Sequence, residues 1–81
     1  MNIQVRLFAV ARQLAGAEML MLDLPAGSTL GQLRSALQAA APGLTPILPQ
    51  IMLAIGSEYA PDDTPIPQGS EVACIPPVSG G

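Results

Sequence analysis

Read along the chain, apolar and polar residues change their rhythm several times, and each change marks an element. Ile3, Val5 and Leu7 alternate with Asn2, Gln4 and Arg6, the period-two pattern of a half-buried strand. A short Ala-rich segment closed by Gly16 follows, and Leu20, Leu22 and Leu24 then repeat the alternation between Glu18 and Pro25-Ala26-Gly27. The two strands are close enough in sequence to form a hairpin-like pair. Thr29 with Gln32 three residues on matches a capping box, and Leu30, Leu33, Leu37, Ala36 and Ala40 share one face at helical spacing. This predicts a helix to about Ala41, stopped by Pro42-Gly43. Residues 44–50, with Pro46 and Pro49, read as a loop. Ile51, Leu53 and Ile55 predict a third strand that turns at Gly56-Ser57, residues 58–70 read as polar turns with at most a short strand, and a last strand covers Glu71 to Ile75. One long helix must bury its leucines against one face of the sheet. The expected class is therefore α+β, a mixed sheet of four to five strands packed on one main helix.

Composition narrows this picture. Eighty-one residues build one domain, and a chain this short buries only about 60–65% of the surface its unfolded state exposes, so the stability margin is small. With 49% hydrophobic residues, 11% charged residues, one Phe and one Tyr, the core must be aliphatic, and some apolar surface is left for a partner. A net charge of −3 argues against nucleic acid, which selects a basic stripe, and against an anionic membrane surface. No apolar run approaches the roughly 20 residues of a spanning helix, and the opening residues lack the pattern of a leader, so a cytoplasmic location is expected. Cys74 stands alone and histidine is absent, which excludes an internal disulfide and the usual metal sites.

Candidate chemistry concentrates at the end, Ile75-Pro76-Pro77-Val78-Ser79-Gly80-Gly81. A body of residues 1–75 followed by a flexible tail of residues 76–81 presents the carboxyl of Gly81 as a chemical group. Glycine at positions 80 and 81 fits a narrow channel where a Cβ would clash, while Pro76-Pro77 holds the tail's root extended. If Val5, Leu7, Val72 and Cys74 face the helix, Phe8 and Ile75 face away from it and, with Tyr59, form a docking patch. The alternative is that Phe8 ends its strand and folds back under the next loop. Asp62-Asp63, between Pro61 and Thr64-Pro65, reads as a solvated turn, Cys74 as a small core residue rather than a sulfur relay, and Pro46-x-x-Pro49 as a stiff loop. Arg12 pairs either with a partner or with the domain's own carboxylates. Lysine is absent altogether, which either spares an activated carboxyl from internal amines or reflects a preference for arginine.

Taken together, Phe8-Ala9-Val10-Ala11-Arg12-Gln13-Leu14-Ala15-Gly16, Thr29-Leu30, Gln68-Gly69-Ser70-Glu71-Val72-Ala73 and the Pro76-to-Gly81 ending resemble the small, sulfur-carrying subunits of molybdopterin synthase, a ubiquitin-like β-grasp family. Gly56, often Asn in that family, and Cys74, often a larger apolar residue, depart from it. The resemblance implies a carrier without catalytic groups or a bound cofactor of its own. Its Gly81 carboxyl is adenylated with ATP by a ubiquitin-activating-like adenylyltransferase, and a sulfurtransferase or cysteine desulfurase supplies the sulfur of a thiocarboxylate. The large synthase subunit, in a two-plus-two heterotetramer, then passes that sulfur to cyclic pyranopterin monophosphate. Competing expectations are a sulfur carrier for thiamine thiazole or cysteine synthesis, a ubiquitin-like protein modifier, and a plain binding module.

Overall fold

A computed structural model describes residues 1–77. Its elements run β1 (Asn2–Leu7), α1 (Ala9–Ala15), β2 (Met19–Asp23), α2 (Leu30–Ala40), two single 3₁₀ turns (Pro42–Leu44 and Leu48–Gln50), β3 (Met52–Ile55), β4 (Glu58–Tyr59) and β5 (Glu71–Ile75). They form one mixed sheet of five strands in the order β2-β1-β5-β3-β4. The central pair β1 and β5 is parallel, Val5 lying beside Val72 and Leu7 beside Cys74, and every other pairing is antiparallel. No helix among the described residues is long and apolar enough to cross a membrane.

The alternation read from the sequence holds in the sheet. Ile3, Val5, Leu7, Leu22, Leu53, Val72 and Cys74 are buried on one face together with Leu30, Leu33 and Leu37 of α2. The helix starts where the capping box predicts: the Thr29 hydroxyl accepts the Gln32 N–H, and the Gln32 side chain accepts the Thr29 N–H at 2.8 Å. Two more of its first N–H groups are satisfied by the polar segment, Leu30 donating to the Thr64 carbonyl at 3.0 Å and Gly31 to the Asp62 carbonyl at 2.8 Å. A helix end normally leaves such donors without partners. The turn-rich stretch before β5 is therefore pinned across the end of α2.

Three expectations change. The Ala-rich segment is a seven-residue helix, α1, closed by Gly16 in the left-handed conformation (φ 74°). Ala11 buries completely, and α1 packs on the turn at residues 42–44. That contact is close enough that a Cβ on Gly43 would run into the Leu14 carbonyl. The stretch 44–50 is not a plain loop, since it begins on the last residue of the first 3₁₀ turn, contains the whole of the second, and buries Leu44 and Leu48. Ile51 is buried but precedes β3 rather than opening it.

Arg34, on α2, joins these parts. Its Nη1 donates to the carbonyls of Leu48 (2.6 Å) and Ile51 (2.8 Å), while Nε and Nη2 grip the Asp62 carboxylate at 3.1 and 2.9 Å. The planar fork of a guanidinium can serve four such acceptors at once. It ties α2 to the residues just before β3 and to Asp62 beyond β4. Asp62 is thus an anchored residue rather than a merely solvated one, and the arginine's hydrogen bonds hold its carboxyl below the usual carboxylate range.

Candidate functional site

The site has two parts, the root of the tail and the sheet face beside it. The last central strand delivers the chain to Ile75, and Pro76 is buried while Pro77 is exposed. Packing therefore carries past the end of β5. The expected carrier residue Gly81 and the expected tail-binding residues Val78, Ser79 and Gly80 lie outside the described residues.

Phe8 follows buried Leu7 in extended backbone (φ −120°, ψ 152°), so it takes the face turned away from α2, where it is 41% exposed. It does not fold back under the next segment, and its N–H donates to the Cys74 carbonyl at 3.3 Å. That bond sets Phe8 level with Ile75 in the parallel pair. On the other side of β5, Met52 of β3 is the register partner of Ile75. Phe8, Ile75 and Met52 thus form a row across three neighbouring strands, immediately before the tail root. One level further along β3, Ala54 pairs with Tyr59 of β4, which is 59% exposed. The predicted trio Phe8, Ile75 and Tyr59 shares one face, and Met52, 48% exposed, completes it. Met52 was legible in principle, because alternation between Ile51 and Leu53 turns it outward. Met52 and Tyr59 also line an open groove of about 390 Å³ with Arg34, Ile51, Leu53, Ala60 and Pro61.

Moving away from the tail, the same face turns polar. Glu71 accepts from Gln4 at 2.9 Å and from Arg6 Nε at 3.2 Å, and this contact raises the Arg6 pKa further above its ordinary value. Beyond β1, Met19 and Met21 of β2 stand exposed. Flexible, polarisable methionine side chains adapt to different partner surfaces. A face with a polar patch at one end and an apolar row at the other fixes the direction in which a partner can sit.

The remaining candidates separate cleanly. Cys74 is fully buried in the core, and desolvation pushes its thiol up to about 11, so it stays a neutral thiol at pH 7 and is no relay for sulfur. Arg12 lies exposed on α1 and forms no ion pair with the domain's own carboxylates among the described residues. Among the same residues no three acidic or cysteine side chains gather as metal ligands. What the described residues of the site offer is a shaped apolar face next to the last residues of the body.

Comparison with known proteins places this geometry. The ThiS family model matches residues 5–81. The molybdopterin synthase sulfur carrier subunit of Arabidopsis thaliana is 39% identical over 80 residues, covering 99% of this chain and 83% of the relative. The crystal structure of SAMP1 from Haloferax volcanii superposes with a TM-score of 0.88 at 28% identity, over 100% of both chains. A chain in the complex of subunits 1 and 2 of molybdopterin-converting factor from Helicobacter pylori matches with a TM-score of 0.73 at 27% identity, again over 100% of both.

Proposed function

Because this chain belongs to the ThiS family, we propose that it is the sulfur carrier subunit of a molybdopterin synthase. The observation that carries this reading is the 39% identity to a subunit of that name across 99% of the chain. The match spans nearly the whole length of the chain rather than one segment of it.

The chemistry follows from the tail. A terminal carboxyl has a pKa of about 3.5 and is an anion at neutral pH, so it repels nucleophiles. A partner with ATP converts the Gly81 carboxylate to an acyl adenylate, releasing pyrophosphate, and a sulfur nucleophile then displaces AMP to leave a thiocarboxylate. The large subunit receives the tail and passes the sulfur to cyclic pyranopterin monophosphate, building the dithiolene of molybdopterin. The body's part is delivery. Phe8, Ile75, Met52 and Tyr59 dock the partner, Pro76 and Pro77 fix the direction in which the tail leaves, and the glycines pass the constriction. A solved complex of the two subunits of molybdopterin-converting factor in a structural relative supports docking on a large subunit.

The likeness to SAMP1, a small archaeal modifier protein, favours a second reading in which the same activated carboxyl forms an amide with a lysine of a target. Mass spectrometry of the protein from cells separates the two. A carrier shows sulfur in place of one oxygen at Gly81, and deletion of its gene abolishes molybdopterin. A modifier shows branched diglycine remnants on target lysines. An unmodified terminus together with intact molybdopterin synthesis in the deletion strain would overturn the carrier reading.

A further inference from the structure

The chain contains no lysine, and its three cationic side chains are Arg6, Arg12 and Arg34. We propose that the body is built as an acyl donor that is not an acyl acceptor: its activated C-terminus meets no amine within reach on its own surface and so is spared for the partner's nucleophile. The inference rests on the reading that the Gly81 carboxyl is activated.

The arginines are not equivalent in this respect. Arg34 serves two backbone carbonyls and both oxygens of Asp62, more acceptors than the three donors of an ammonium can satisfy. Arg6 reaches both oxygens of Glu71 through Nε and Nη2, again a task suited to a fork. Folding geometry accounts for arginine at these two positions. Arg12 is different, being exposed on the second turn of α1 and free of side-chain bonds among the described residues. Nothing in the packing there distinguishes a guanidinium from an ammonium. Reactivity does, because a guanidinium stays protonated while a lysine, with a pKa of about 10.4, exposes a small fraction of free amine at neutral pH.

Position 12 also lies at the end of the molecule where β5 finishes. Phe8 is level with Ile75, and a side chain four residues further along a helix stands roughly 6 Å on. The Met1 amine lies at the opposite end. The Met1 ammonium donates to the Leu24 carbonyl at 2.7 Å and contacts Asp23 Oδ1 at 3.4 Å. In a parallel pair at roughly 3.3 Å per residue, the seven positions from Phe8 back to Met1 place it roughly 23 Å from the tail root. Six residues follow Ile75, which even fully extended span only about 20–21 Å, and the first of them, Pro76, is buried. The parallel arrangement of β1 and β5 therefore holds the Met1 amine out of range.

The unwanted reaction is aminolysis. An amine nitrogen attacks the acyl carbon, the bond to the leaving group breaks, AMP or a thiol departs and a proton goes to solvent, leaving an amide. The test uses the 1–81 chain prepared as a C-terminal mercaptoethanesulfonate thioester, incubated dilute at mildly alkaline pH and followed by intact mass. The unsubstituted chain yields only the hydrolysed acid. Arg12→Lys and Gln13→Lys each yield a species one water lighter, the internal amide, whereas Asp23→Lys, at the far end, yields the acid. An internal amide in the unsubstituted chain, hydrolysis alone in both near-end variants, or equal cyclisation of the Asp23 variant would each overturn the proposal. Failure of the carrier reading shows separately, as the absence of an ATP-dependent thiocarboxylate on the unmodified chain, and leaves the thioester result untouched.

Discussion

Both faces of the sheet carry large apolar side chains, and the two are treated oppositely. On the inner face Val5, Val72 and Cys74 are fully buried against Leu30, Leu33 and Leu37, while on the outer face Phe8, Met52, Met21 and Tyr59 leave large apolar side chains in water. Folding accounts for the first arrangement and does nothing to explain the second. An exposed apolar surface on so small a domain is what the proposed docking on a partner would use. The difference teaches that stability and delivery are separable in this molecule, one on each side of a single sheet.

The strongest way to break that comparison is on the inner side. Leu33→Ala deletes a fully buried side chain at the centre of the helix–sheet contact, and such truncations cost about 3–5 kcal/mol. Against a total of about 4–12 kcal/mol for 81 residues, the urea midpoint followed by circular dichroism should fall by roughly half. A loss below about 1 kcal/mol would mean that the inner face does not carry the fold.

Next comes the edge. Arg34→Met keeps the aliphatic stem but leaves the Leu48 and Ile51 carbonyls without their donor. Unpaired, partly buried acceptors of this kind cost about 2–4 kcal/mol together. Lysine at this position should rescue only part of the loss, because an ammonium lacks the fork. The Asp62 carboxyl adds a pH signature. Its pKa is depressed by the arginine, so its contribution is present above the ordinary carboxylate range and fades as pH falls through the folded-state value. Arg34→Met should lose that acid-side dependence.

Cys74 tests the dryness of the inner face from the alkaline side. Its thiol is raised from an ordinary 9.0 to about 11 by desolvation, so the folded state holds the proton more tightly than the unfolded chain does. The corresponding stability is complete below pH 9 and is lost as pH rises toward 11, amounting to about 2–3 kcal/mol. Cys74→Val removes the titrating group, and its stability should decline less over the same window.

The parts legible in the sequence were those whose signal is local. β1 and β5 showed themselves by alternation, and α2 by Thr29, Gln32 and its leucine stripe, because each pattern is complete within the element. α1 was not legible as a helix: Ala9–Ala15 is seven residues long, and its fold depends on contact with the turn at residues 42–44. An isolated helix of that length is unstable in water. β4, two residues long, exists only because β3 is beside it. The Arg34 clamp was invisible for a related reason, since its acceptors lie 14 to 28 residues away and the bonds to Leu48 and Ile51 are to main-chain carbonyls. At the site, alternation placed Phe8 and Ile75 on the outer face and would have placed Met52 there too, but only the register between strands makes the three a row.

The smallest expected change in stability is the sharpest test of the comparison. Phe8→Ser and Met52→Ser each remove an exposed apolar side chain from the row beside the tail root, and exposed substitutions away from buried networks usually shift stability by no more than about 0.5 kcal/mol. Their unfolding midpoints should therefore stay near that of the unsubstituted chain. Binding should not. Aromatic and methionine anchors at interface centres carry a disproportionate share of affinity, so each variant should bind the large subunit at least about tenfold more weakly by calorimetry, a change of about 1.4 kcal/mol. Gln4→Ser, in the polar patch at the far end of the same face, is the matched control with little effect on either. If Phe8→Ser destabilised the fold as much as Leu33→Ala, or left partner affinity unchanged, the outer face would be part of the body's own packing and the division of labour between the two faces would be lost.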